Sequence, residues 1–371
     1  MAKVVFCNIA WMRLYSGITD NDQPKNGGAF VKENNDACES FNFYPYNHYC
    51  LGYVRAPGER LNLARVEDVP DDVDKIDDVT VIWVATNDTG RHIVGWYEHA
   101  EMYRYYQYFE DSIVENHTYW QYNFKTREEN AYIIPEELRN FRVLSASKAG
   151  AGLGMGQSNL WYADSAITKE KFVPKVLEYL EKIRPQTIQQ YWRKEFVEKI
   201  ADIQGKNVEE LNELAANETN PGKLFAIDNL IISMNPPDMF KARFQRAADL
   251  EFYLLYDEAI EEYQRALSCA TDADEKSDMF IDCMFNLLRL LDIVRKFFLA
   301  WEVAKRCLSI AKTIEDKFIA IDTMLRMSYN EGNIELVEQA LGYYGDLKTD
   351  YGIDIIRDYK KWLKEQKQNK Q

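Results

Sequence analysis

The sequence predicts an α+β protein in two parts: a small mixed β-barrel over residues 1–165, then a helical connector over 166–238 and an α-helical repeat array over 239–371. Three observations predict it. Short β-branched and aromatic runs separated by turn formers fill the first part. After Ala163 the apolar residues recur at helical spacing. From Met239 onward that helical pattern repeats.

In the first part, strands are expected at 4–9, 41–46, 49–54, 79–86, 92–97, 119–124 and 142–145. They are separated by Asn26-Gly27-Gly28, Asn34-Asn35-Asp36, Ala56-Pro57-Gly58 and Asn87-Asp88-Thr89-Gly90. The run 79–86 is almost wholly apolar or β-branched, as a strand buried on both faces requires. Short helices are expected at 111–116 and 135–138. A glycine-rich loop, Gly150-Ala151-Gly152-Leu153-Gly154-Met155-Gly156-Gln157-Ser158-Asn159, leads into a further strand over 159–163.

The connector carries helical spacing over 171–183, with Val173, Val176, Leu177 and Leu180 on one face, and over 188–203, broken by Pro185. Asn220-Pro221-Gly222 and Asn235-Pro236-Pro237-Asp238 bracket another helix at 224–234. In the array, the helix 256–267 (Tyr-Asp-Glu-Ala-Ile-Glu-Glu-Tyr-Gln-Arg-Ala-Leu) resembles the second helix of a tetratricopeptide (TPR) repeat. A shift of 41 aligns Phe297, Ala300, Leu308 and Ala311 with Tyr256, Ala259, Leu267 and Ala270. A shift of 37 carries Phe297, Ala300 and Ala304 to Ile334, Val337 and Leu341, after Asn330-Glu331-Gly332-Asn333. These spacings exceed the family's period of about 34, so the units are TPR-like. The resemblance implies stacked helix pairs with a concave surface that docks a protein partner or a second copy. The polar tail 360–371 is expected to fray.

Composition narrows the function classes. The chain has 371 residues, 46% of them hydrophobic, and a net charge of −15. No apolar run approaches the roughly 18 residues of a membrane span. Residues after Lys3 enter a strand rather than a signal-type apolar stretch, and six scattered cysteines form no C-x-x-C pair. A cytoplasmic location with reduced thiols is expected. Residues 1–165 hold 15 Lys and Arg against 24 Asp and Glu, a balance of −9, much of it in the acidic stretch 67–78. Binders that grip nucleic-acid backbone without specificity carry a basic footprint instead. A local basic face from Arg55, Arg60, Arg65, Arg91, Arg104, Arg127, Arg139, Arg142 and Lys148 stays open.

The first part resembles the PUA-like superfamily, which includes the EVE and YTH modules. The features that carry it are the strand 81–86, the following strand with Gly95-Trp96-Tyr97, and the glycine-rich loop before Trp161-Tyr162. The opening Asn8-Ile9-Ala10-Trp11-Met12 departs from the N-terminal signatures of EVE and YTH, which leaves the pocket residues open. The resemblance implies a reader that captures a flipped or single-stranded base of DNA or RNA, often a modified one, by stacking and edge hydrogen bonds. Carried onto this sequence, the aromatic candidates are Trp11, Trp96, Tyr97, Trp83 and Trp161. Trp83 and Trp96 are expected to face each other across the hairpin. Asn8, Asn87, Asp88, Gln157, Ser158 and Asn159 are placed to read a base edge, or to serve as ordinary turn residues. The loop, with Gly154 at its centre, either closes over a ligand or simply links strands. It lacks the Lys-Ser/Thr of a phosphate loop, and no dinucleotide or other cofactor motif occurs.

Tyr103, Tyr105, Tyr106, Tyr108, Phe109, Tyr119, Trp120, Tyr122 and Phe124 form a dense group that either stacks successive bases or packs a sheet. The histidines His48, His92, His99 and His117 show no metal-ligand spacing. An enzyme acting on the base would draw its acid–base group from Asp88, Glu98, His99 or Asp164. A third reading is a pure protein-interaction scaffold whose β domain binds a peptide, which a filled barrel without a pocket next to Trp96 and the loop 150–156 would favour. Modified foreign DNA is one target that a reader joined to a docking array would serve.

Overall fold

A computed structural model describes residues 2–20, 22–26, 37–108, 121–188 and 200–369. The expected turns at 27–28 and 34–36, the helix 111–116, and Phe109, His117, Tyr119 and Trp120 lie outside these residues. So does most of the helix expected at 188–203. The chain divides into two compact units, Met1–Lys194 and Glu195–Gln371.

The first unit is a mixed sheet. Its strands are β1 (Lys3–Ile9), β2 (Pro45–Tyr46), β3 (Tyr49–Gly52), β4 (Lys75–Asn87), β5 (Gly90–Tyr108), β6 (Gln121–Arg127), β7 (Ala131–Ile133) and β8 (Leu160–Trp161). They run in the order β2-β3-β6-β5-β4-β1-β8, with β7 beside β5. β1 is parallel to β4, and the remaining pairings are antiparallel. The β4–β5 hairpin turns at Asn87–Gly90, where Asn87 Oδ1 accepts from the backbone N–H of Thr89 at 2.9 Å and of Gly90 at 3.2 Å. Gly90 has φ 137°, which its missing Cβ permits.

Both faces of the sheet are covered, which is why β4 reads as a continuous apolar run. One face packs Cys7, Val81, Trp83, Tyr97, Met102 and Phe124. The other packs Phe6, Ile82, Trp96 and Val143 under α1 (Val173–Ile183), through Val176, Leu180 and Ile183. The helix expected in the connector therefore belongs by packing to the sheet.

The strand expected at 41–46 is a 3-10 turn, Cys38–Phe41, followed by the two residues of β2. The strand expected at 49–54 stops at Gly52. Buried asparagines explain the early stop. Asn42 exchanges two hydrogen bonds with the backbone of Tyr53, and Asn123 does the same with Val54. Side-chain amides thus satisfy backbone groups that a ladder would otherwise take. The segment 142–145 makes only isolated bridges, to His92 and Met155.

The second unit is helical: α2 (Val208–Ala215), α3 (Pro221–Ser233), α4 (Met239–Phe252), α5 (Tyr256–Cys269), α6 (Asp278–Ile293), α7 (Phe297–Ile310), α8 (Ile314–Asn330), α9 (Ile334–Leu347) and α10 (Ile353–Asn369). Asn220, Asp238, Ser277, Thr313 and Asn333 cap helix starts by accepting a backbone N–H three residues on. In the pairs α4–α5, α6–α7 and α8–α9 the chain turns through left-handed residues, Leu254, Arg295 and Gly332. Their separations, 295 − 254 = 41 and 332 − 295 = 37, are the shifts read in the sequence. Ala259, Ala266, Ala300, Ala304 and Ala340 are buried where paired helices approach. α10 continues to Asn369, so helix occupies most of the tail expected to fray.

Buried charge ties α4 to α5. Glu262 is 1% exposed and accepts from Arg243 at 2.6 Å, Arg246 at 2.8 Å and Arg265 at 3.1 Å. Nearby, Asp228 on α3 is buried with Oδ2 lacking a hydrogen-bond partner among the described residues.

Candidate functional site

Register decides the fate of the strand aromatics. Trp83 lies opposite Gly95, and Ile82 lies opposite Trp96, so the two indoles project from opposite faces. The expected cross-hairpin pair does not form. Bulges between Val79 and Val84 break the simple alternation from which it was read.

Trp83 is 0% exposed, edge-on to Tyr97 at 5.2 Å and to Phe124 at 5.7 Å. Tyr97 is equally buried and donates to the carbonyl of Asn42. Trp96 is 0% exposed and stacked on Tyr132 at 4.7 Å, and its Nε1–H donates to Glu98 at 3.1 Å. Arg184 lies 4.7 Å above the Tyr132 ring and grips both Glu98 oxygens, at 2.6 and 2.8 Å. Trp161 packs between Phe6 and Phe172. Each of these rings spends its faces on the protein itself.

A second group gathers at one end of the sheet, where β1 and β4 finish. Trp11, 6% exposed, donates Nε1–H to Glu136 at 2.8 Å, lies under Arg139 at 4.9 Å and meets His92 edge-on. Burial lowers the His92 pKa below its ordinary value, favouring the neutral ring. Asp88 is exposed at the hairpin tip, and Gln157 and Ser158 are exposed on the loop. The Asn8 N–H donates to the Asn159 carbonyl at 2.7 Å. The Asn8 Oδ1 and the Arg91 Nε are buried, and neither has a hydrogen-bond partner among the described residues. Arg91 Nη1 reaches the carbonyls of Met155 and Gly156 at 3.4 Å.

The loop is tied down at its middle. Met155 donates to the Leu144 carbonyl at 3.0 Å, and Thr168 Oγ1 donates to the Gly152 carbonyl at 2.6 Å. A Cβ on Gly154 would lie 2.6 Å from the Leu144 carbonyl oxygen, whereas one on Gly156 would meet nothing within 4 Å. Gly154 therefore serves close backbone packing, whereas Gly156 stands in open space.

The acid–base candidates are engaged or in solvent. Glu98 is raised by burial, but the hydrogen bonds from Arg184 and Trp96 outweigh that and hold it below the usual carboxylate range. The Arg65 guanidinium, bidentate at 2.7 and 3.0 Å, likewise holds Asp164 low. His99 is exposed and bonded to Asp78 at 2.7 Å. Of the dense tyrosine group, Tyr103 meets Tyr122 edge-on at 5.8 Å, while Tyr105 and Tyr108 are exposed.

The helical unit holds a cleft of about 620 Å³ between α6 and α8. Ile281, Phe285, Leu288, Phe318 and Ile319 give it apolar walls. Its rim carries five carboxylates (Asp278, Asp282, Asp292, Asp316, Asp322) and three cations (Arg289, Lys312, Arg326). All three cations are committed: Lys312 to Asp278 at 2.7 Å, Arg326 to Asp292 at 2.5 Å, and Arg289 to Glu251. Asp282 and Asp316 carry no ion pair among the described residues. Burial raises Asp322, against Arg326 and with Asp292.

Sequence reading placed interaction on the array but named none of these residues. The one-turn spacing of Asp278 and Asp282 was the visible signal. Nothing local in the sequence marks Arg184 or Arg139 as the cover of a tryptophan. Among the described residues no group of three His, Cys, Asp or Glu is placed to hold a metal ion, and no helix is long and apolar enough to cross a membrane.

No protein-family model matches this chain, and no curated protein matches it. Among solved structures, the crystal structure of BtubC (BKLC) from P. vanneervenii is similar with 16% identity and a TM-score of 0.29, covering 49% of this chain and 75% of that one. A likeness of that size carries no argument about fold or function.

Proposed function

We propose that this protein works by binding, and that its TPR-like array docks a polypeptide segment in the cleft between α6 and α8. The cleft itself supports this reading most: apolar walls that favour burial of a side chain, under a rim whose uncommitted charges are carboxylates. Such a site selects Lys and Arg flanking an apolar anchor. The test is a displayed peptide library panned on the full chain and on D282K/D316K. Enrichment of basic segments by the unaltered chain alone is expected, and a library without enrichment contradicts it.

A second reading concerns the first unit, taken as a PUA-like barrel that reads a base of DNA or RNA. What favours it is the buried acceptor Asn8 Oδ1 and donor Arg91 Nε beside the exposed residues 156–158. A base edge presents the complementary donor and acceptor. On this reading Trp96, Trp83 and Tyr97 are structural, and Asn8, Arg91, Gln157 and Asn159 touch the ligand. Asn8→Ala in the full chain should abolish binding to the best of a panel of modified and unmodified oligonucleotides. Absence of binding to any of them at low salt contradicts it.

A further inference from the structure

We infer that the occupant of the cleft is a second copy of this chain, whose helix α10 lays a row of lysines between α6 and α8. This rests on the docking reading above and names its partner. The chain is acidic overall, yet residues 353–371 hold six Lys and Arg against three Asp and Glu, +3 in a chain of −15. Lys360, Leu363, Lys364 and Lys367 line one shallow hollow along α10. Lys360 and Lys364 are exposed and carry no ion pair among the described residues, while Lys367 reaches Glu338 at 2.7 Å. α10 is anchored to its own array through Tyr359 and Trp362, whose rings pack on Tyr329 at 5.7 and 5.0 Å. That leaves Lys360 and Lys364 without an ion-pair partner among the described residues of their own copy.

The two surfaces match in charge and spacing. Asp278 and Asp282 stand one helical turn apart, about 6 Å along α6, as do Lys360 and Lys364 on α10. Asp282 is unpaired among the described residues, and the exposed pair of Asp278 with Lys312 is one that water weakens and an arriving lysine can share. Asp316 faces them from α8, and the rim cations are already neutralised within the array. Leu363, between the lysines, offers an apolar side chain to Ile281, Phe285 and Ile319. Cleft and lysine row are different surfaces, so the contact is head-to-tail and propagates unless the rotation closes a ring.

Sedimentation velocity of the full chain across a concentration series tests this at low and at high salt. The mean mass should rise with concentration at low salt and return to monomer at high salt, because rim charges in water are screened. K360E/K364E and D282K/D316K should each weaken association by about tenfold or more. Mixing the two variants should restore association, since the unaltered cleft of one meets the unaltered lysine row of the other. A monomer at every concentration, or association that both charge reversals leave unchanged, overturns the inference. A chain that selects basic peptides yet stays monomeric overturns the self-association alone. A chain that does neither overturns the docking reading as well.

Discussion

The sheet and the helical array treat their conspicuous residues in opposite ways. In the sheet, the tryptophans that draw the eye are consumed by the two cores: Trp83 on one face and Trp96 on the other. In the array, alanines at the helix contacts are buried among large side chains such as Tyr256, Tyr263 and Phe280, and the groups left over are carboxylates around an open cleft. The lesson is that a large aromatic in a strand buried on both faces reports packing first. The proposed docking rests instead on surplus charge that its neighbours leave unneutralised.

Substitutions sharpen this contrast. The largest effect is expected from Trp96→Ala, which removes a fully buried indole and its stack on Tyr132. It should cost about 3–5 kcal/mol, read as a loss of the first unit's transition in urea unfolding. If the variant folds with unchanged stability and loses only binding, the ring belongs to a pocket instead. Next is Glu262→Gln, which leaves Arg243 and Arg246 without their buried partner and should cost about 3 kcal/mol, confined to the array's transition.

Asp228 gives a pH signature. Burial, with Asp249 adding, raises its carboxyl to about 7 in the fold. A raised acid binds its proton more tightly folded than unfolded. Its contribution is therefore fully present below the ordinary carboxylate range and is lost as pH rises through about 7. Asp228→Asn should stabilise the array by about 1–2 kcal/mol at pH 8 and flatten the fall in its midpoint between pH 4 and 8. An unchanged pH profile would show that Asp228 finds a partner in solution. The smallest effects concern the loop. Gly154→Ala should cost about 1–3 kcal/mol through its clash with backbone, whereas Gly156→Ala should change stability by about 0.5 kcal/mol or less.

Much of the architecture was legible. The hairpin, the helix faces and the repeat shifts of 41 and 37 rest on local periodicity, which the chain keeps. The sheet faces of Trp83 and Trp96 were not, because bulges shift the register between them. The short β3 was hidden because Asn42 and Asn123 imitate strand partners from a distance in sequence. Of the candidate site, Asn8, Asn159 and the loop were named and do gather at one end of the sheet. Arg91 beside them, and the cleft, come from tertiary placement that no window of sequence carries.

The most direct test of the claim that binding resides in the array is calorimetric titration of the best library-selected basic peptide into two variants of the full chain. Ile319→Asp alters an exposed residue of the cleft wall, and Asn8→Ala alters the end of the sheet. Ile319→Asp should weaken binding about tenfold or more, while Asn8→Ala should leave it unchanged. Binding that survives Ile319→Asp and falls with Asn8→Ala would contradict the claim.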